Sequence, residues 1–162
     1  MHLPGCDDAP MDDVGADDAS RDAAGVDVDA IRALIVAYGA RIDGGDLDGV
    51  AALFAHATWR SGGRVLTGAS EVRSVYDDVI LYDGIPRTQH AMSNVVVDVD
   101  GDAATAQCSF TVFQAVDGFP LQAVLAGRYH DTMARTSAGW EFRDRVIHAD
   151  LLGDLSRHMR RR

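Results

Sequence analysis

The sequence predicts an α+β domain in which three N-terminal helices pack on a curved, mainly antiparallel sheet. Two observations favour this class. Between residues 27 and 82 the apolar residues recur mostly at three- and four-residue steps, whereas from residue 90 onward they alternate with polar residues. Helices that come first, followed by a run of strands, are typical of α+β domains rather than of alternating α/β folds. Such a curved sheet wrapped over helices can enclose a pocket.

The first helix is predicted from Asp27, with Asp27 or Asp29 as its N-cap. Its end is expected at the sequence DGGD, where Gly44 or Gly45 can take the left-handed conformation. The apolar stripe of this helix consists of Val28, Ile31, Leu34, Ile35, Tyr38 and Ile42. This stripe should face the core of the domain.

Two further helices and five strand regions follow in order. A short helix is predicted over 46–55 with Asp46 as its cap, a short strand pair or extended segment over 57–68, and a third helix over 69–82. The chain then alternates with period two, with turns at Asp100-Gly101, at 117–120 and at 136–139. The predicted strands of this meander are 90–100, 103–116, 121–135 and 140–152.

Length and composition indicate one domain with two flanking segments. We expect residues 1–26, which hold seven aspartates and one arginine, to be a disordered acidic leader, residues 27–152 to be the domain, and residues 153–162 to be an Arg-rich solvated tail. The net charge of −10 argues against unaided nucleic-acid binding. No apolar run is long enough for a bilayer and no signal peptide is recognisable, so a cytoplasmic protein is expected. Cys6 and Cys108 are read as free thiols.

Familiar catalytic signatures for phosphate, dinucleotide, serine-nucleophile and zinc-helix chemistry are absent from the sequence. Two other residues draw attention. Asp43 places a carboxylate at the negative end of a helix dipole, which is unfavourable without a compensating partner. His90 opens a strand and could act as a general base if a carboxylate held its ring. Taken singly, each residue also fits an ordinary structural role.

A family resemblance joins these two residues. The segments IRALIVAYGARIDGGDLDGVAALFA, RTQHAMSNVVVDVDGDAATAQCSF, GRYHDTMAR and GWEFRDRVI resemble the SnoaL-like branch of the nuclear transport factor 2-like superfamily over residues 27–150. The resemblance implies a cone-shaped α+β barrel with a deep apolar pocket. Compared with scytalone dehydratase and hexachlorocyclohexane dehydrochlorinase, Asp43 and His90 occupy the positions of an Asp–His dyad. Phe113 stands where scytalone dehydratase has a second histidine, and Tyr129 lies near the position of its pocket asparagine.

The function implied by this resemblance is that of a small lyase or isomerase that needs no cofactor and no metal. His90 would remove a proton from carbon on a small apolar or cyclic substrate, and Asp43 would orient His90. The expected substrate-binding residues are Tyr38, Trp59, Phe113, Tyr129 and His148, while His130 should point to the opposite face of its strand. The alternatives are a non-catalytic ligand-binding or dimerising module and, less favoured, an auxiliary β subunit of a ring-hydroxylating dioxygenase. A homodimer through the outer face of the sheet is also implied.

Overall fold

The computed structural model of the chain describes the backbone of residues 14–160 and the side chains of residues 25–160. The helices of this range are α1 (Val14–Asp43), α2 (Leu47–Ala52) and α3 (Gly68–Arg73), and a 3₁₀ turn (Ser74–Asp78) continues α3. The strands are β1 (Thr58–Ser61), β2 (Arg64–Thr67), β3 (Thr88–Asp100), β4 (Ala103–Val116), β5 (Phe119–Thr136) and β6 (Gly139–Leu152). None of the helices described is long and apolar enough to cross a membrane.

The described strands form one six-stranded sheet in the order β2-β1-β6-β5-β4-β3. Strands β3 to β6 pair antiparallel with their neighbours in sequence, so the predicted meander is confirmed. Strand β1 joins β6 in parallel and forms the predicted short pair with β2. The predicted α+β class of three helices on a curved, mainly antiparallel sheet is therefore confirmed. The sheet is not closed, because β2 and β3 are its two edges.

The core lies between α1 and the inner face of the long strands. Four of the apolar positions predicted for α1 are almost completely buried: Ile31, Ile35, Tyr38 and Ile42. They join one hydrophobic cluster with inward-facing residues of the sheet such as Phe110, Val112, Tyr129 and Phe142. Complete burial of an isoleucine contributes roughly 1.5–3 kcal/mol relative to exposure, so this stripe holds α1 against the sheet.

Helix α1 begins much earlier than the sequence predicts, at Val14 instead of Asp27. Residues 14–26 were expected in the disordered leader, yet they continue the helix; residues 1–13 lie outside the described part of the chain. The stretch contains four alanines, and each residue added to an existing helix gains a hydrogen bond without a new nucleation cost. Asp27 is consequently no N-cap. Its carboxylate accepts hydrogen bonds from Arg135 and from Trp140 Nε1 instead.

The third helix and the C-terminal tail also differ from prediction, and one contact explains both. The helical stretch ends at Asp78, four residues before the predicted end, because Val79 is extended and forms a β-bridge with Met159. The amide of Ile80 also donates to the carbonyl of His158 at 2.9 Å. Residues 155–160 therefore pack on the domain, and the prediction of a solvated tail over 153–162 is wrong for this segment. Residues 161–162 lie outside the described chain.

Candidate functional site

Asp43 is the last residue of α1, and its carboxylate is held by the start of β3. One carboxylate oxygen accepts a hydrogen bond from Thr88 Oγ1 at 2.7 Å and lies 2.6 Å from His90 Nδ1. The other accepts the backbone N–H of His90 at 2.7 Å. The chain leaves the helix through Gly45, whose φ of 77° is in the left-handed region. These donors compensate the unfavourable position of a carboxylate at a helix C-terminus.

The surroundings of Asp43 keep its carboxylate ionised. Burial raises the pKa of the group, but the hydrogen bond and charge of His90 together with the His90 backbone N–H and the Thr88 hydroxyl outweigh burial. The net effect is a pKa below the ordinary value of 3.8. At neutral pH Asp43 is therefore an anion, and its hydrogen bond to the His90 ring is charge-assisted.

Gly39 allows α1 and β3 to approach closely enough for this contact. It lies one helical turn before Asp43, opposite His90. A Cβ atom added at this position would lie 2.9 Å from the Cβ of His90 and 2.8 Å from the Cε of Met92. Such distances are shorter than real Cβ contacts, so any larger residue would push the strand away from the helix.

The Asp43 contact fixes the orientation of the His90 ring. Because Asp43 is an anion, it accepts the hydrogen bond from Nδ1–H, so in a neutral ring Nε2 is the acceptor nitrogen. The side chain of His90 is only 7% exposed and lines a cavity of the domain. Nε2 is therefore the ring nitrogen available to a molecule in that cavity, and it has the arrangement of a general base.

The cavity has a volume of about 280 Å³ and mainly apolar walls. Cavities of about 150 Å³ can bind benzene, so this space suits a molecule with one or two rings. Three of the predicted substrate-binding residues line it together with His90: Tyr38, Trp59 and Tyr129. Tyr76 also lines it, and the Tyr76 hydroxyl donates to the Tyr38 hydroxyl at 3.1 Å. The structure thus brings these five side chains together.

Trp59 presents a polar atom without a partner. Its ring is buried on β1, and its Nε1 makes no hydrogen bond to any described residue. Buried polar groups normally have a partner, and an indole N–H can only donate. Because Trp59 lines the cavity, a ligand oxygen is a suitable acceptor for this N–H.

A buried ion pair supports the aromatic side of the cavity. Arg145 donates two hydrogen bonds of 2.7 Å to Asp131, and both side chains are almost fully enclosed. The Arg145 guanidinium lies 4.3 Å from the ring centres of Tyr38 and Tyr129. Burial raises the pKa of Tyr129 well above its ordinary value, and the nearby Arg145 charge offsets this only in part. Tyr129 is therefore a neutral phenol at neutral pH.

Comparison with known proteins places this arrangement in a family. The family model for the SnoaL-like domain matches residues 26–146, three quarters of the chain. The chain belongs to the SnoaL-like family. Among solved structures, it is similar to a nuclear transport factor 2-like protein with a cystatin-like fold from Novosphingobium aromaticivorans, with 26% identity and a TM-score of 0.72 over 87% of this chain and 92% of the other.

Two further structures from the same bacterium share the fold of this SnoaL-like domain. A protein named as a candidate scytalone dehydratase is 21% identical, with a TM-score of 0.68 over 83% of this chain and 91% of the other. The β subunit of a candidate aromatic-ring-hydroxylating dioxygenase is 19% identical, with a TM-score of 0.66 over 81% and 94%. At these identities the likeness shows the fold alone. No curated protein matches the sequence.

Two of the predicted substrate-binding residues do not lie in the cavity of the SnoaL-like domain. Side chains of a strand alternate between its two faces, and Phe110 and Val112 of β4 face inward. The side chain of Phe113 therefore lies on the outer face of β4. His148 is exposed, and its ring packs 5.1 Å from that of His130. Its neighbour Ile147 lines the cavity instead. The predictions for Phe113 and His148 are therefore wrong, whereas His130 faces outward as predicted.

Some residues that line the cavity of the SnoaL-like domain were not predicted from the sequence. Tyr76 lies within the predicted third helix and was not among the predicted site residues. His158, Leu155 and Met159 were placed in a solvated tail, although all three line the cavity. Leu155 and Met159 are four residues apart, which is the spacing of one helical turn with an apolar side. That spacing was the available signal, and the four arginines around it obscured it.

Proposed function

We propose that this SnoaL-like domain is a lyase or isomerase that removes a proton from carbon without a cofactor, acting on a small apolar or cyclic substrate. The observation that carries the proposal is the Asp43–His90 pair, which has a 2.6 Å contact and opens on a cavity of about 280 Å³. A base held by an ionised carboxylate next to an apolar binding space is the arrangement that carbon-acid chemistry requires.

In the proposed reaction His90 Nε2 accepts the proton from a carbon atom next to an electron-withdrawing group. Asp43 stabilises the imidazolium that forms, and Trp59 Nε1 donates a hydrogen bond to the substrate oxygen on which negative charge develops. The imidazolium then returns the proton to the leaving oxygen in a dehydration, or to another carbon in an isomerisation. Acid–base catalysis of this kind contributes about 10²–10⁴-fold. The apolar walls lower the local dielectric constant, which strengthens both interactions.

Family membership and the dehydratase-like name of one structural neighbour are consistent with this class of reaction. They do not choose between catalysis and binding, because the same fold hosts both kinds of protein. The alternative is a non-catalytic small-ligand-binding module. The apolar cavity with its unpartnered Trp59 Nε1 favours a ligand in either case.

The test uses the full chain in deuterated water with two ring ketones, 1-indanone and 3-hydroxycyclohexanone. NMR follows deuterium uptake next to the carbonyl of the first and loss of water from the second. We expect turnover by the wild-type protein, a loss of about 10²–10⁴-fold in His90→Gln and a similar loss in Asp43→Asn. His130→Gln, on the outer face of the sheet, is the matched control and should keep full activity. Equal rates for wild type and His90→Gln would contradict the proposal; binding of both ketones without turnover would favour the binding module.

The proposal includes a homodimer through the outer face of the sheet. This face carries Val96, which is 66% exposed on the edge strand β3, and the aromatic ring of Phe113 on β4. These two apolar side chains would gain free energy if a second copy covered them. Light scattering should give twice the mass of one chain, and Val96→Glu should shift the protein toward the monomer. A monomer mass for the wild-type chain would contradict this part of the proposal.

A further inference from the structure

Leu155, His158 and Met159 form a wall of the cavity. The segment that carries them, residues 155–160, is attached to the rest of the domain by hydrogen bonds of its main chain. The carbonyl of Arg157 accepts from Gln114 Nε2 at 3.0 Å, and the carbonyl of His158 accepts from the amide of Ile80 at 2.9 Å. The amide of Arg160 donates to the carbonyl of Asp78 at 2.7 Å. Because these contacts are with β4 and with the segment after α3, the orientation of the wall is fixed.

Among the residues of this wall that line the cavity, His158 has the one polar side chain. It is 8% exposed and lines the same cavity as His90. Its Nδ1 is completely buried and forms no hydrogen bond with any described residue. A buried polar atom without a partner is rare in folded proteins and requires an explanation. The proton transfer proposed above does not use His158, so the reaction of His90 supplies no such explanation.

The burial of His158 and the charged groups near it keep its ring neutral at neutral pH. Burial, and to a smaller extent the neighbouring His90, lower its pKa to about 4, and Asp43 acts in the opposite direction. A neutral imidazole carries one donor and one acceptor nitrogen. The ligand group that forms a hydrogen bond with this ring must therefore be polar and uncharged. A charged group would lose its hydration in this apolar cavity, and the neutral ring would not compensate its charge.

We propose that His158 is a ligand-binding residue whose Nδ1 forms a hydrogen bond with a hydroxyl group on a one- or two-ring ligand in the cavity. A hydroxyl group both donates and accepts, so it satisfies Nδ1 in either tautomer. The ring skeleton fills the apolar space between Val79, Leu155 and Met159. This inference shares the cavity with the proposed function, but it concerns binding and does not need a proton to be removed by His90.

Two probes of nearly equal shape test the proposal: 1-naphthol, which has a hydroxyl group, and 1-methylnaphthalene, which has a methyl group in its place. Their Kd values are measured by NMR titration for the full wild-type chain, His158→Phe, His158→Asn and the outer-face control His130→Phe. We expect wild type and His130→Phe to bind both probes. In His158→Phe the Kd of 1-naphthol should rise about tenfold, while that of 1-methylnaphthalene should change by less than about twofold.

His158→Asn keeps a polar atom at this position and should retain part of the preference for 1-naphthol. The wild-type protein supplies a readout that needs no folded variant: the ¹⁵N shift of His158 Nδ1 should change with 1-naphthol and stay unchanged with 1-methylnaphthalene. A wild-type protein that prefers 1-naphthol but takes up no deuterium into 1-indanone would retain this inference and contradict the proposed reaction, which separates the two. Equal losses for both probes in His158→Phe, no shift of Nδ1 with 1-naphthol, or no binding of either probe by wild type would overturn it.

Discussion

The carboxylate of Asp43 accepts the backbone N–H of His90 at 2.7 Å and lies 2.6 Å from Nδ1 of the same residue. One pair of residues therefore joins the end of α1 to the start of β3, both through the main chain and through the side chain. The backbone contact fixes the position of the strand, and the ring contact fixes the tautomer of the histidine. Structural and chemical roles coincide in Asp43, so its substitution should affect both stability and activity.

Asp43→Asn should destabilise the protein at neutral pH and have little effect at acid pH. The folded-state pKa of Asp43 lies below its ordinary value of 3.8, so its contribution is fully present above that value and is lost as the pH falls through the folded-state pKa. At pH 7 we expect a loss of about 1–3 kcal/mol in the free energy of unfolding, measured by urea denaturation. Asp29→Asn, an exposed residue of the same helix, should change stability by less than about 0.5 kcal/mol. A pH-independent difference between wild type and Asp43→Asn would contradict this account.

Gly39→Ala and Gly25→Ala should have opposite effects although both lie in α1. Alanine is favoured over glycine inside a helix by about 1 kcal/mol, and a Cβ atom at Gly25 would meet nothing within 4 Å, so Gly25→Ala should stabilise the protein. At Gly39 the Cβ atom would collide with His90 and Met92. We expect Gly39→Ala to destabilise by about 1–3 kcal/mol and to shift the NMR signals of the His90 ring. Equal melting temperatures for the two variants would show that β3 can move away from α1 without cost.

His158 should make wild-type stability fall between pH 6.5 and pH 4. Its folded-state pKa is about 4 against an ordinary value of 6.5, so in this window the unfolded chain binds a proton that the folded chain does not bind. The difference corresponds to roughly 3 kcal/mol. Urea denaturation at pH 7.5, 6, 5 and 4 should show a smaller decrease for His158→Phe than for wild type. Parallel pH profiles of the two proteins would contradict a buried, neutral His158.

The sequence predicted the parts of the fold that depend on local periodicity. The helical spacing of Ile31, Ile35, Tyr38 and Ile42 identified the buried side of α1, and the turn at Asp100-Gly101 identified the start of the meander. The pairing of Asp43 with His90 came from the family resemblance, because no local pattern relates residues 47 positions apart. Trp59 and Tyr129 line the cavity, since a large aromatic residue on the inner face of a curved sheet lines whatever space the sheet encloses.

Long-range packing and strand parity account for what was missed. Phe113 lies between the buried residues Val112 and Gln114 on β4, so its side chain faces outward, whereas the prediction relied on the resemblance alone. In β6 a register shift near Phe142 changes the parity before His148 is reached. His158 depends on the chain returning to pair Met159 with Val79, which only the three-dimensional structure shows.

Asp131→Asn should be one of the most destabilising single substitutions in the domain. It would leave the fully buried Arg145 charge without its carboxylate partner, beside the rings of Tyr38 and Tyr129. Loss of one member of a buried ion pair costs about 3–5 kcal/mol, because the remaining charge stays desolvated.

The matched control is Asp150→Asn, whose partner Arg128 is half-exposed on the outer face. This variant should lose at most about 1 kcal/mol. Urea denaturation of both variants at pH 7 makes the comparison, and similar losses would mean that Arg145 has another source of compensation. Because Arg145 supports the cavity rings, Asp131→Asn should also weaken binding of 1-naphthol, while Asp150→Asn should leave it unchanged.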